Sequence, residues 1–203
     1  NFRGERARIT LVDGDDFERR NADRQAFETL GNKAKVKAAE MAREFEGLSF
    51  RAVPEFVTEA NIAQSIQDGD IIFLAVDNHK TRKLVSNYCE KLVDVTLISG
   101  GNDFTDGNVQ VHIRQGSRDL TAPVTRFHPE IQNPTDRSPA EMSCEELMEQ
   151  GAPQLLFTNL AVASSMLNVF YSFREGRLKF GEVYLDIIEG KSNPVKREGE
   201  RER

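Results

Sequence analysis

Tryptophan is absent from the 203 residues and cysteine nearly so. The two thiols, Cys89 and Cys144, lie far apart, and His79, His112 and His128 are scattered. No Cys-x-x-Cys or His-containing spacing suits a structural zinc. So few cysteines predict a reducing, cytoplasmic setting, and the opening residues show no secretory leader pattern. Basic charge is in deficit: 27 Lys and Arg against 33 Asp and Glu give a net charge of −6. Without a basic stripe to replace the counterions around phosphates, a nucleic-acid partner is not expected. A small anionic ligand, which needs only one or two well-placed cations, stays open. Long apolar runs are also missing. The longest, Leu155 to Tyr171, is broken by Thr158, Asn159, Ser164, Ser165 and Asn168. It falls short of the roughly 20 apolar residues of a bilayer span, so it predicts a buried helix and no membrane role.

What is present reads as one α/β domain. Ala7 to Asp13 is a β-branched run ended by Gly14, a buried strand. Lys33 to Phe45 places Ala34, Ala38, Met41, Ala42 and Phe45 at helical spacing. Leu48 to Val53 predicts a strand, and Thr58 to Ile66 a short helix capped by Thr58. Ile71 to Val76 is a continuous apolar run of the kind found in an interior parallel strand. Thr81 to Lys91 is helical again and Val95 to Ser99 another strand. This alternation predicts a mostly parallel sheet with right-handed crossovers. In Val109 to Ile113 apolar residues alternate with Gln110 and His112, which predicts a half-exposed antiparallel strand near one edge. From Thr121 to Pro153 lie five of the seven prolines, so a long crossover loop is expected there. The Leu155 helix and a strand around Gly181 to Ile187 follow. The expected domain is 1–190, with 191–203 a charged, solvated tail.

Ligands of open parallel sheets sit beyond the carboxyl ends of the strands. Two such ends carry carboxylates here, Asp13 with Asp15, and Asp77 with Asn78. A carboxylate at such a place accepts ribose hydroxyls, and one on a neighbouring strand end holds Mg2+ over phosphates. Asp and Asn also simply start turns; finding two such ends together favours the ligand. Between them, Arg19, Arg20 and Arg24 cluster with Asn21 and Gln25 directly after a strand end. Guanidinium groups stabilise charge in nucleotidyl transfer, although the residue types alone favour a solvated charged loop.

The stretch DGDDFERRNADRQ resembles the Asp-x-Asp-x-(apolar)-x-x-x-Asn-x-x-Arg-Gln signature of the ThiF/MoeB and ubiquitin-activating family. GNKAKVKAA is similar to its Gly-x-x-Lys helix start, and AVDNHKTRKLVSNYC to its Asp-Asn-x-x-x-Arg strand–helix junction. ISGGNDFTDGNVQV is similar to its Ser-Gly hairpin. Four motifs in the same order over residues 8 to 113 are far more specific than any one. The resemblance implies a Rossmann-like sheet flanked by helices, with antiparallel strands at one edge. It implies ATP-dependent adenylation of the C-terminal carboxylate of a ubiquitin-like or sulfur-carrier protein ending in Gly-Gly, releasing pyrophosphate. By resemblance Asp13 binds the ribose with Asp15 behind it, and Asn21 and Arg24 reach the phosphates beside Gln25. Lys33 contacts the phosphates, with Lys35 an alternative because the spacing differs slightly. Asp77 holds Mg2+ and Asn78 lines the nucleotide site. The family's matching arginine often crosses a dimer interface, so a homodimer is implied.

The family opens with a strand and a Gly-x-Gly-Gly-x-Gly loop that cradles phosphate. This chain starts at NFRGERARIT, level with the second strand. A sheet without its central first strand would be badly destabilised, so residues upstream are expected rather than loss of ATP binding. Cys144 lies in SPAEMSCEELMEQG, where Ser143 and Glu146 form a capping box and put the thiol in a helix's first turn. That favours a thiolate, as in relatives that form a thioester with the carrier. Glu145 and Glu146 oppose it, so a nucleophile and an idle thiol both stay open. Cys89 is expected to face the core. Two other functions remain: an NAD-dependent oxidoreductase, which leaves the Asn-x-x-Arg-Gln loop unexplained, and a non-catalytic scaffold that keeps the fold and binds a partner.

Overall fold

The computed structural model describes residues 7–22, 25–142 and 155–198. The chain forms two compact units, Asn1–Ser65 and Ile66–Arg203.

In the first unit, β1 (Arg8–Val12) runs parallel to β4 (Ser49–Val53), with Arg8 opposite Ser49 and Val12 opposite Val53. Helix α1 (Lys33–Glu44) connects them and packs on both strands through buried Ala34 and Ala38. Between β1 and α1, β2 (Asp16–Phe17) pairs antiparallel with β3 (Gly31–Asn32). Phe17 is buried there and stacks on Phe27 with ring centroids 4.6 Å apart. The helix expected from Thr58 is shorter, α2 (Ile62–Ser65). The Thr58 carbonyl accepts from the amides of Asn61 and Ile62, while Asn61 Oδ1 accepts from the Thr58 amide. A turn therefore occupies the residues where the cap was expected.

The second unit is a six-stranded sheet built from β5 (Ile71–Leu74), β6 (Val95–Asn102), β7 (Asp106–Gln115), β8 (Arg118–Asp119), β9 (Glu182–Asp186) and β10 (Lys191–Val195). The order is β10-β9-β7-β6-β5, with β8 beside β7. β5 and β6 are parallel, and the other ladders are antiparallel. The α/β class with antiparallel strands at one edge is thus what the chain adopts, and that edge is wider than expected. Helices α3 (His79–Cys89) and α5 (Leu156–Arg174) both pack on β6. A single helical turn, α4 (Pro129–Gln132), lies in the proline-rich crossover, with proline at its first position where the missing N–H costs nothing.

The core gathers Ile98, Val109, Val111, Val162, Met166, Val169 and Val183. Glycine lets α5 approach the sheet. A Cβ at Gly100 would stand 2.4 Å from Met166 Sδ, and one at Gly107 would meet both Val162 and the Gly101 carbonyl oxygen at 2.7 Å.

Four expectations change. β7 is not a half-exposed edge but lies between β6 and β9, with Gln110 and His112 buried. Its alternation reflects a buried polar row: Asp119 Oδ1 takes His112 Nε2 at 2.8 Å, and the Thr121 hydroxyl bonds Val111 and Ile113. The run Ile71 to Val76 is covered less fully than expected, with Phe73 exposed, because β5 has a ladder partner on one side only among the described residues. Helix α5 is long and apolar enough by composition to cross a membrane, yet it seats Val162, Met166 and Val169 on the sheet. It leaves Phe157, Leu160 and Leu167 exposed, so it is not fully buried. Finally, residues 191–198 are no solvated tail: β10 extends the sheet, and Glu198 bridges to Thr121. Its Pro194 is tolerated because β10 is an edge strand.

Gly107→Ala should destabilise the unit by about 1–3 kcal/mol, since backbone at Gly101 cannot yield. Gly100→Ala, opposed by a flexible methionine, should cost less. Urea denaturation of the two variants measures the difference.

Candidate functional site

The two expected pairs, Asp13 with Asp15 and Asp77 with Asn78, lie just beyond β1 and β5. At the end of β1, the Asp13 amide continues the ladder to the Val53 carbonyl at 3.1 Å. Asp13 Oδ1 then accepts from the Asp15 amide at 2.9 Å, so the carboxylate is oriented by its own loop. Asn32, which the sequence reading passed over, ties this loop to α1. Its Nδ2 donates to the carbonyls of Asp13 and Asp15 at 2.9 and 3.0 Å, and its Oδ1 caps the helix at the Lys35 amide. Its signal was available: an Asn immediately before a helix is a preferred N-cap. Gly14 fits because any Cβ would collide with Phe56, 2.7 Å away.

Lys33 Nζ forms an ion pair with Asp15 Oδ2 at 2.9 Å, so Asp15 is the lysine's counter-charge in this structure. Lys35 is exposed. Asn21 is buried and spends its Oδ1 on the Glu18 amide at 2.8 Å, closing a reciprocal cap on the one-turn helix Arg19–Asn21. Its carbonyl accepts from the Gln25 amide, and Gln25 Oε1 is buried with no partner among the described residues. A buried acceptor without a donor is costly. Arg24 and Cys144 lie outside the described residues.

At the exit of β5, Asp77 is exposed and makes no hydrogen bond or ion pair among the described residues. Asn78 is buried and its Oδ1 caps α3 at the Thr81 amide, 2.8 Å away. One turn on, Arg82 is buried. Its guanidinium donates to the Val76 carbonyl, to Ser99 Oγ at 2.7 Å and to the Gly100 carbonyl at 2.7 Å. Burial lowers its pKa to about 10, against the fields of Asp77 and Asp136, so it remains a cation at neutral pH. A lone exposed carboxylate is a fitting donor for Mg2+, which is commonly held by one or two carboxylates together with substrate phosphates. The Cys89 thiol is fully buried, and burial pushes it up to about 12, as a core thiol would be.

These motifs and this fold match known proteins. The profile of the ThiF family matches residues 5–171. The chain belongs to the ThiF family. It is 34% identical over 115 residues to the maize (Zea mays) adenylyltransferase and sulfurtransferase MOCS3-1, covering 54% of this chain and 24% of that protein. Among solved structures, E. coli MccB aligns with a TM-score of 0.69 at 14% identity over 96% of this chain and 56% of its own. MccB in complex with N-formylated MccA reaches 0.72 at 15% identity, covering 95% and 58%. PaaA reaches 0.68 at 16% identity, covering 96% and 57%. At such identities the likeness is one of fold. The chain thus spans only part of the length of the relatives it matches.

A polar network between the crossover and β9 was also not foreseen. His128, on the crossover, contacts Glu130 Oε1 through Nδ1 at 2.7 Å and Glu182 Oε1 through Nε2 at 2.8 Å. Glu182 is 1% exposed and also accepts from Arg197 Nε at 2.7 Å and Asn108 Nδ2 at 3.1 Å. Arg197 in turn covers the Phe127 ring, 4.6 Å from its centroid. Burial lowers the imidazole pKa, but its bonds to Glu182 and Glu130 outweigh this and raise it. For Glu182 burial raises the value, and the bonds from His128 and Arg197 bring it down to about 2.

The raised histidine stabilises the fold below its ordinary value of 6.5 and loses that contribution as pH rises through its folded value. The depressed glutamate contributes above its ordinary value of 4.5 and loses it as pH falls toward about 2. The network should therefore contribute most between pH 4.5 and 6.5. Removing the carboxylate as Glu182→Ala, which strands two cationic partners, should cost about 3–5 kcal/mol in that window. Thermal melts of wild type and variant across pH should diverge most there.

Proposed function

We propose that the protein adenylates the C-terminal carboxylate of a ubiquitin-like or sulfur-carrier protein with ATP and Mg2+. The observation that carries this reading is the exposed Asp77 carboxylate at a parallel strand's exit, without hydrogen bond or ion pair among the described residues, in a chain of the ThiF family. In support, the similar maize protein is named an adenylyltransferase and sulfurtransferase, and MccB has been solved with ATP and with MccA.

In this reading Asp77 holds the Mg2+, which would neutralise charge on the nucleotide's phosphates. Asp13 accepts the ribose hydroxyls, held in orientation by the Asp15 amide. Lys33 leaves its pairing with Asp15 to meet phosphate oxygens, and Arg24 and Asn21 add positive and polar contacts beside Gln25. Asn78 shapes the corner through its cap. A carboxylate oxygen of the carrier attacks the α-phosphorus, the bond to the departing pyrophosphate breaks, and an acyl-adenylate results. Positioning and electrostatics account for most of the acceleration in such a transfer. Cys144 then takes the acyl group as a thioester, displacing AMP. Arg24 reaches a partner copy's site in a homodimer.

ATP–pyrophosphate exchange on the full-length protein, with candidate carriers ending in Gly-Gly, tests this. Exchange should require a carrier, and Asp77→Ala and Arg24→Ala should each reduce it by about 100-fold or more. No exchange with any carrier, together with partner binding that ATP and Mg2+ leave unchanged, would instead establish the scaffold.

A further inference from the structure

The start of an α-helix leaves its first N–H groups without partners inside the helix, and a nearby carboxylate is drawn to them by hydrogen bonding and by the helix dipole. In α3, Asn78 Oδ1 satisfies the Thr81 amide, which leaves those of His79 and Lys80. The carboxylate nearest in sequence is Asp77, immediately before the cap, and left alone it would fold back onto them. It does not; it stays exposed and makes no hydrogen bond among the described residues. Both amides are held instead by Asp136, 57 and 56 residues along the chain. Oδ2 accepts from the His79 amide at 2.5 Å and Oδ1 from the Lys80 amide at 3.1 Å.

The segment that delivers Asp136 is itself secured to the same turn. Ser138 and Glu141 form a reciprocal cap around the one-turn helix Pro139–Glu141, and Arg137 donates to the Glu141 carbonyl. Lys80 Nζ reaches both carboxylate oxygens of Glu141 at 2.6 Å. On the other side of Asp77, the Val76 carbonyl is held by Arg82, whose buried charge acts on Asp77 and Asp136 together. The backbone on both sides of Asp77 is fixed, and its own helix start is occupied.

We propose that Asp136 is a positioning residue that, by occupying the His79 and Lys80 amides, keeps the Asp77 carboxylate turned outward for a divalent cation. The docking of residues 133–142 and the strength of cation binding are therefore coupled. The inference rests on the reading of Asp77 as the cation ligand. Removing the Asp136 side chain lets Asp77 fall back onto its own helix start, where it competes with the metal. Asp136→Asn removes the charge but keeps one acceptor oxygen, which can still hold the helix start through one of the two amides, and so changes less.

Mn2+ serves as the probe. Binding of Mn2+ in the presence of ATP, without carrier, is read on the full-length protein from the electron paramagnetic resonance of free Mn2+. Amide hydrogen exchange at His79 and Lys80 is measured on the same samples. Asp136→Ala should raise exchange at those two amides, leave β6 and β7 protected, and weaken Mn2+ binding roughly tenfold. Asp136→Asn should stay within about threefold of wild type, and Glu141→Gln, which frees Lys80, should fall between. Asp136→Asn as weak as Asp136→Ala would mean that charge alone acts through space, and would overturn the proposal. Faster exchange in Asp136→Ala with unchanged Mn2+ affinity would overturn it as well. Unchanged Mn2+ binding in Asp77→Ala would sink the functional reading of Asp77, and the inference with it.

Discussion

The buried guanidinium of Arg82 is the constraint on which the larger unit's chemistry depends. A charge removed from water is tolerated only when hydrogen bonds replace its hydration. Here three oxygens do so, from Val76, Ser99 and Gly100. The Val76 carbonyl lies just beyond β5, and Ser99 and Gly100 lie within β6 where its pairing with β5 ends, while the guanidinium itself rides on α3. One side chain thus ties together the end of β5, the interior of β6 and the start of α3, at the place where Asp77 emerges. The geometry leaves little slack, because a Cβ at Gly101 would already stand 3.4 Å from the Arg82 nitrogen. A lysine at this position would carry the charge but not the planar fork that reaches three acceptors at once.

The smaller unit solves the same problem without a buried cation. Asn32 uses one amide group to hold the Asp13–Asp15 loop and to cap α1. Both units therefore place an acidic loop at a parallel strand's exit and anchor it to the first turn of the helix that follows. The difference lies in how the carboxylates are left. Asp15 is matched by Lys33, whereas Asp77 has no such partner among the described residues. A paired carboxylate is poor at holding a cation, and an unpaired one is available for it.

Much of this was legible in the sequence because it is local. Strands β1, β4, β5 and β6 and helices α1 and α3 follow from apolar runs and helical spacing. The Asp77–Asn78 corner follows from an apolar run stopped by acidic and amide residues. What was misread involves partners distant in sequence. Gln110 and His112 alternate as a solvent-facing edge would, and only the pairing with β9 and the contribution of Asp119 show them to be interior. Residues 191–198 have a tail's composition, yet buried Glu182 requires Arg197 as its partner, and that need is invisible until β9 is in place. Helix α5 looked fully buried because periodicity cannot separate one packed face from two when both are apolar.

The crossover illustrates the same limit at the site itself. Its prolines exclude regular structure, but composition does not indicate where such a segment is held down. Two contacts made by side chains of opposite character do that. His128 bonds to Glu182 on the sheet, and Asp136 accepts from the first turn of α3. The histidine contact depends on an imidazolium and the aspartate contact on a carboxylate. The bonds to Glu182 and Glu130 raise the histidine's pKa and so hold the imidazolium to higher pH than usual. As pH climbs through that value the sheet-side anchor weakens first, because a neutral imidazole can donate from only one nitrogen while facing two carboxylates. The helix-side anchor is untouched by that change, so the segment beside Asp77 would loosen last.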